Sequence, residues 1–121
     1  MIGKLDSYDA WKAAKELART AYSLSVREPL CKHRVLADQL QRAAVSVPAN
    51  IIEGYALGTK AQFIRCTRIS LASAAELKLH VWLIHDVGAL PSDVAKSLRD
   101  QCDRVISLLV GLLKSLGARG P

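Results

Sequence analysis

Glu53 and Glu76 are the only carboxylates in the sequence whose neighbours along the chain are mainly apolar. Two such acids can work as a general acid and a general base when their surroundings separate their pKa values. Structural hydrogen bonding is the commoner role of an acid in that setting. Because no nucleophile motif such as GxSxG accompanies them, we favour the structural role and predict that the protein is not an enzyme and has no catalytic residue.

Metal-ligating residues are present but do not form a motif. His80 and His85 are five residues apart, which is about 140° around a helix, so they cannot hold one ion together. Cys31 and His33 lie close in sequence, but no second pair of ligands joins them. The phosphate-binding element GK[ST] does not occur either. The sequence therefore predicts no metal site and no cofactor.

The charge of the chain favours a polyanionic partner. Its 121 residues include 17 Lys and Arg against 11 Asp and Glu, which gives a formal net charge of +6. Residues 1–60 and residues 61–121 each carry +3, so an evenly solvated basic surface is an equally good interpretation. Contacts with RNA or DNA would be made mainly through phosphates. The candidates for such contacts are Lys12, Lys15, Arg19, Arg42, Arg65 and Arg68.

Apolar residues recur at every third or fourth position through most of the chain, and no stretch has the two-residue period of a strand. We therefore predict an all-α fold, an antiparallel up-down four-helix bundle that residues 1–121 form as a single domain. The predicted helices span about residues 7–27, 32–55, 60–87 and 91–116. Thr59 followed by Gln62 has the capping-box spacing expected at the start of the third helix.

The segment SVPANIIEG, residues 46–54, interrupts this helical pattern. Pro48 lacks the N–H that would bond the carbonyl four residues earlier, which predicts a local kink at the end of the second helix. We expect Ser46 or Asn50 to bond the disturbed turn, and Glu53 to bond backbone groups or a neighbouring helix. Gly54 should then release the chain from the helix. The predicted structural motif is Ser46, Pro48, Asn50, Glu53, Gly54 and Glu76.

The apolar content predicts self-association. The hydrophobic residues make up 50% of the chain, which is a large share for a domain of this size to bury alone. The fourth helix carries a second apolar row, Ile106, Val110 and Leu113, beside its main seam, and we expect this row to meet another copy. The three cysteines do not suggest a disulfide framework, and no apolar stretch is long enough to cross a membrane, so we predict a cytoplasmic protein without a membrane partner.

The segment QLQRAAVSVPANIIEG, residues 39–54, resembles the signature of a four-helix-bundle family encoded in intervening sequences of bacterial 23S ribosomal RNA genes. That signature reads roughly QLRRAAVSIPSNIAEG. Trp11, Ala14 and Leu17 fit the first helix of the family, and the segment SAAEL, residues 73–77, is similar to its small-residue and GluLeu motif. The resemblance covers about residues 5–116.

The resemblance implies a four-helix bundle that assembles as a homopentameric ring and has no known enzymatic activity. A related branch comprises basic pentameric accessory proteins of diversity-generating retroelements, which bind a reverse transcriptase and nucleic acid. The chain departs from the family pattern at Gln41, Leu57 and Gly58, where arginines are common, and at Ala72, where a glycine is usual. These departures weaken a nucleic-acid role without affecting the fold.

Two functional hypotheses follow. The first is a non-enzymatic, oligomeric basic scaffold that binds RNA or DNA by phosphate contacts, with further copies of itself as its first partner. The alternative is a protein-interaction adaptor, such as an accessory subunit of a reverse transcriptase, that has no nucleic-acid specificity of its own.

Overall fold

The computed structural model of the chain describes residues 3–118. It contains four long α-helices, which we call α1 (Asp9–Ser25), α2 (Arg34–Leu57), α3 (Lys60–Asp86) and α4 (Ser92–Ser115). Short 3-10 turns at Leu5–Ser7 and Leu30–Lys32 precede α1 and α2, and residues 3–118 include no strand. The all-α prediction is confirmed, and the observed helix ends differ from the predicted ones by at most two residues.

The four helices pack around one core. Each helix contacts the next one along the chain, and α4 returns to contact α1. Each helix turns one stripe of residues inward, spaced by three and four, because that spacing keeps side chains on one face. The largest fully buried side chain is Phe63, whose ring makes edge contacts with Tyr8 at 5.5 Å and with Tyr55 at 6.2 Å between centroids. Burial of these apolar side chains is the main force that holds the bundle together.

The connection between α2 and α3 is made at Gly58. This residue has a φ of 83°, a left-handed conformation that glycine adopts without the steric cost of a Cβ. Thr59 then caps α3, because its Oγ1 accepts a hydrogen bond from the backbone N–H of Gln62 at 3.2 Å. The prediction that Gly54 releases the chain is wrong, since Gly54 lies buried inside α2.

Helix α2 continues through Pro48 for nine residues to Leu57. The segment around the proline is therefore part of the helix and not its end. Proline inside a helix removes one backbone hydrogen bond and crowds the preceding turn. A proline is tolerated inside a helix where packing and side-chain hydrogen bonds hold the helix in place. Around Pro48, hydrogen bonds between α2 and α3 do this.

Large apolar side chains remain exposed on α2 and α3, and this differs from the prediction for α4. In α4 the second row is covered, since Leu113 is buried and Ile106 and Val110 are half-buried. No large apolar residue of α4 is among the exposed ones in the described part of the chain. Those on α2, on α3 and directly after α3 are Val35, Val45, Ile52, Leu57, Ile69, Leu79, Trp82, Leu83 and Val87.

The burial of the second apolar row of α4 has a geometric cause. A helix in a four-helix bundle meets two neighbours, so it buries a wide stripe instead of a single seam. Ile106 and Val110 lie on the flank of α4 that also carries Asp103, whose carboxylate pairs with Lys78 of α3 at 2.6 Å. The bundle thus buries Leu113 of the second row and partly covers Ile106 and Val110.

None of the helices within residues 3–118 is both long and apolar enough to cross a membrane.

Candidate functional site

A chain of polar contacts joins α2 to α3 around Pro48. The hydroxyls of Ser46 and Ser73 lie 2.7 Å apart and share a hydrogen bond. Asn50, one turn further along α2, donates from Nδ2 to the backbone carbonyl of Ser46 at 2.8 Å and to the Ser46 hydroxyl at 3.0 Å. The amide of Asn50 therefore bonds the turn that contains the proline and also fixes the hydroxyl that reaches α3.

Ser70 supplies a second link between the two helices. Its hydroxyl donates to the carbonyl oxygen of Val47 at 2.7 Å, and its side chain is fully buried. A buried hydroxyl without a partner would be costly, so this bond satisfies Ser70 while it ties α3 to the residue before Pro48. We call Ser46, Asn50, Ser70 and Ser73 the polar seam.

Gly54 allows α2 and α3 to approach each other closely. A Cβ at this position would lie 2.7 Å from the Cβ of Cys66 and 3.2 Å from the Cα of Phe63. Neither of those atoms is the movable end of a long side chain. The missing side chain is thus required for α2 and α3 to pack at this distance.

The two candidate acids do not form a catalytic pair. Glu53 is exposed, and its Oε2 accepts only a weak hydrogen bond from the thiol of Cys66 at 3.8 Å. Glu76 is 60% exposed and pairs with His80 on its own helix at 3.4 Å. Cys66 and Glu76 are ten residues apart on α3, which is about 15 Å along the axis, so the two carboxylates cannot act on one bond.

Residues 3–118 contain neither an activated thiol nor a cluster of metal ligands. Burial raises the pKa of Cys102 to about 12, with a smaller contribution from the neighbouring Asp103 carboxylate. A thiol with that pKa stays protonated and is not a nucleophile near neutral pH. Within residues 3–118, no three residues among His, Cys, Asp and Glu come together as metal ligands.

The candidate basic residues lie on different sides of the bundle. Lys12 and Arg19 are exposed on α1 and pair with Asp9 at 3.6 Å and Glu16 at 3.5 Å. Lys15, on the same helix, lies with its Nζ 4.9 Å from the centre of the Trp11 ring. A cation in that position is attracted by the negative face of the ring. These three cations form one basic face of α1.

The other three candidates lie elsewhere on the bundle. Arg42 is exposed on α2, and Arg65 and Arg68 are exposed on α3. The Nε of Arg65 donates to the Oε1 of Gln62 at 2.8 Å. Since α1 packs mainly against α2 and α4, and α3 lies diagonally across the core, the structure does not bring all six cations into one patch.

The aromatic side chains differ in how far they are exposed. Tyr55 is not a free stacking platform, because its ring packs on Phe63 and its hydroxyl donates to the carbonyl of Gly3 at 2.8 Å. Tyr22 and Trp82, which fall on apolar stripes in the sequence, are more than half exposed. Periodicity alone could not show this, because α3 has apolar residues on every side of the helix, including Val81 and Leu83 next to Trp82.

Comparison with known proteins identifies the family. The sequence pattern of the family described as 23S rRNA-intervening sequence protein matches residues 6–111. The chain belongs to this family. The segment QLQRAAVSVPANIIEG, residues 39–54, lies in α2 and contains half of the polar seam.

A solved structure has the same fold. It is a protein of unknown function from the S23 ribosomal protein family of Bacteroides thetaiotaomicron, 24% identical, and it superimposes with a TM-score of 0.79 over 87% of this chain and 98% of the other. At this identity the likeness shows the fold alone. No protein with curated functional information matches the chain. Membership in the intervening sequence family therefore establishes the architecture. The role of the protein has to be inferred from the residues on its surface.

We expect the polar seam to contribute measurably to stability. Replacing Ser46 or Ser73 with alanine should lower the free energy of unfolding by about 1 kcal/mol each, since the remaining hydroxyl loses a partner. In a double-mutant cycle, the two changes should be coupled by at least about 0.5 kcal/mol. Urea denaturation measures the effect, and Ser107→Ala, at an exposed position of α4, is the control. Strict additivity of the two changes would contradict the shared hydrogen bond.

Proposed function

We propose that the protein is a non-enzymatic, self-assembling helical scaffold that binds RNA or DNA through phosphate contacts. The observation that carries the proposal is the apolar surface of α2 and α3, which the single chain leaves uncovered. The homopentameric ring implied by the family resemblance is the assembly that we propose, and the cytoplasm is its proposed location. All three cysteines are free thiols, which suits a reducing compartment.

Self-assembly is supported by how much apolar surface is exposed and by where it lies. Leu79 and Trp82 of α3 are 59% and 54% exposed, and further large apolar side chains are exposed on both α3 and α2. Large amounts of exposed apolar surface on a soluble protein mark sites of association. Tryptophan is among the residues that contribute most binding free energy at protein interfaces. A second copy that packs on this surface would remove it from water.

Phosphate binding is supported by the basic face of α1. Its ion pairs with Asp9 and Glu16 join exposed side chains at 3.5–3.6 Å, and exposed pairs of this kind are worth little in water. The cations are therefore available to exchange a carboxylate for a phosphate. One chain offers three such cations, which is few, but a ring repeats the face in every subunit and multiplies the +6 charge of the chain.

Fluorescence anisotropy with a structured RNA over a salt series tests the nucleic-acid part of the proposal. The affinity should fall steeply as salt increases, because phosphate binding releases counterions. The triple variant Lys12→Gln, Lys15→Gln, Arg19→Gln should bind more weakly and show a shallower salt dependence.

The matched control removes three exposed cations from α4, by Lys96→Gln, Arg104→Gln and Lys114→Gln. Both triple variants change the net charge equally, so a larger effect on α1 assigns the contact to that helix. Undetectable binding of the unmodified protein at low salt would refute the nucleic-acid role, and equal losses in the two variants would refute the assignment to α1.

The alternative function is a protein-interaction adaptor, for which a reverse transcriptase is one partner that the related branch of the family implies. The observation that favours it is the same exposed surface, since Trp82 and its apolar neighbours can dock a different protein as well as a second copy. A pull-down after nuclease treatment separates the two functions. A single partner recovered in a fixed ratio, together with no RNA affinity, would replace the scaffold proposal with the adaptor.

A further inference from the structure

The seam between α1 and α4 contains an open groove that shares only Arg19 with the basic face of α1. It lies where the C-terminal half of α1 passes the first two turns of α4, and its volume is about 530 Å³. Of the four pairs of adjacent helices, α1 and α4 share the fewest contacts, which leaves room for the groove. Pockets of about 300–1,000 Å³ are of the size that holds small organic ligands.

The lining of this groove combines an apolar floor with a polar rim. Leu98 is buried at its base, and Leu24 and Val94 are partly buried beside it. The rim brings together two arginines, three hydroxyls and one acid: Arg19, Arg27, Thr20, Ser23, Ser97 and Asp93. We call this site the α1–α4 groove. An apolar base with a few polar groups at its edge is the usual composition of a small-molecule site.

Arg19 and Arg27 line the α1–α4 groove together with one carboxylate, that of Asp93. Arg19 also pairs with Glu16 of its own helix at 3.5 Å, and an exposed pair of this kind is weak enough in water to be exchanged for another anion. Arg27 uses its Nε to donate to the carbonyl of Ser23 at 3.0 Å, which anchors its planar group next to the rim. A smaller adjoining cavity of about 220 Å³ shares Arg27 and also includes Glu28. That carboxylate pairs with Lys32 at 2.8 Å, so it is already compensated.

We propose that the α1–α4 groove binds a small amphipathic anion, in which an apolar body carries a phosphate or carboxylate group. The apolar body would lie on Leu24, Val94 and Leu98, and the anionic group would accept hydrogen bonds from Arg27 and Arg19. Arginine suits this role because its planar group donates two parallel hydrogen bonds to such anions. This site is separate from the basic face of α1 except for Arg19, and it does not depend on nucleic-acid binding.

Methyl NMR with n-octyl phosphate as the probe tests the site, because Leu24, Val94 and Leu98 report directly on the floor of the groove. The probe should shift these methyl signals saturably. At the same concentration, inorganic phosphate should leave them unmoved and n-octanol should bind at least about five-fold more weakly. Arg27→Gln should weaken n-octyl phosphate about five-fold, whereas Arg34→Gln, an exposed arginine outside the groove, should have no effect.

A second variant fills the groove and does not depend on charge. Ser97 is exposed on the rim, so Ser97→Phe should keep the thermal stability of the protein and abolish the methyl shifts. The proposal is overturned if n-octyl phosphate at millimolar concentration leaves the three methyl groups unmoved. It is also overturned if n-octanol binds equally well, or if Arg27→Gln and Ser97→Phe both bind like the unmodified protein.

Discussion

Replacing Gly54 with alanine is expected to lower the free energy of unfolding by about 2 kcal/mol. The new Cβ would overlap the Cβ of Cys66, 2.7 Å away, and press on the backbone of Phe63. Relief requires α2 and α3 to separate, which loosens the polar seam. The loss should appear even though alanine favours a helix over glycine by about 1 kcal/mol. Urea denaturation at one fixed protein concentration measures it, because the proposed assembly would make stability depend on concentration.

Gly111→Ala is the matched control for this change. Gly111 also lies inside a helix, but a Cβ there would meet nothing within 4 Å. Alanine at this position should therefore raise the free energy of unfolding by about 0.5–1 kcal/mol. If Gly54→Ala were as stable as Gly111→Ala, the close approach of α2 and α3 would not be the reason for the glycine, and our account of this helix pair would be wrong.

The double variant Leu79→Glu, Trp82→Glu is expected to abolish self-assembly. Both side chains are more than half exposed in the single chain, so charged replacements should cost the fold itself little. In an interface between copies, the same charges would be buried without partners, which costs several kcal/mol per group. Light scattering should report the 13.2 kDa chain, and circular dichroism should show unchanged helix content.

The control for the assembly variant places two glutamates on α4, by Ser107→Glu and Gly111→Glu. Both positions are exposed, and α4 presents no large exposed apolar side chain within the described residues. This control alters the net charge equally and should keep the assembled mass. Dissociation of the control to the same extent would show that charge, and not the surface of α3, governs association.

The fold was predictable because its helices carry strong local signals. The apolar spacing of three and four marked all four helices, and the Thr59 cap set the start of α3. The two glycines of the second helix were harder to assign. Gly58 ends α2 through its left-handed backbone, while Gly54 serves the contact with α3. Glycine has a low helix propensity, so both positions look like helix ends in the sequence. Only the position of the neighbouring helix α3 distinguishes them.

The exposed apolar surface was less predictable than the fold. The second apolar row of α4 predicts self-association, yet the bundle buries or partly buries this row and leaves large apolar side chains exposed on α3. Periodicity identifies an apolar face but not how many neighbours it meets. For the same reason, the polar seam was foreseen only in α2: Asn50 was expected to bond the turn at Pro48, while the partners Ser70 and Ser73 depend on the register between α2 and α3.

The mass of the unmodified protein in solution tests the central claim most directly. The claim is that the apolar surface of α2 and α3 is covered by further copies of the chain. Sedimentation equilibrium at micromolar concentration should give about 66 kDa, five times the 13.2 kDa of one chain. A mass of 13.2 kDa throughout the micromolar range would contradict the claim and leave the surface to a different partner.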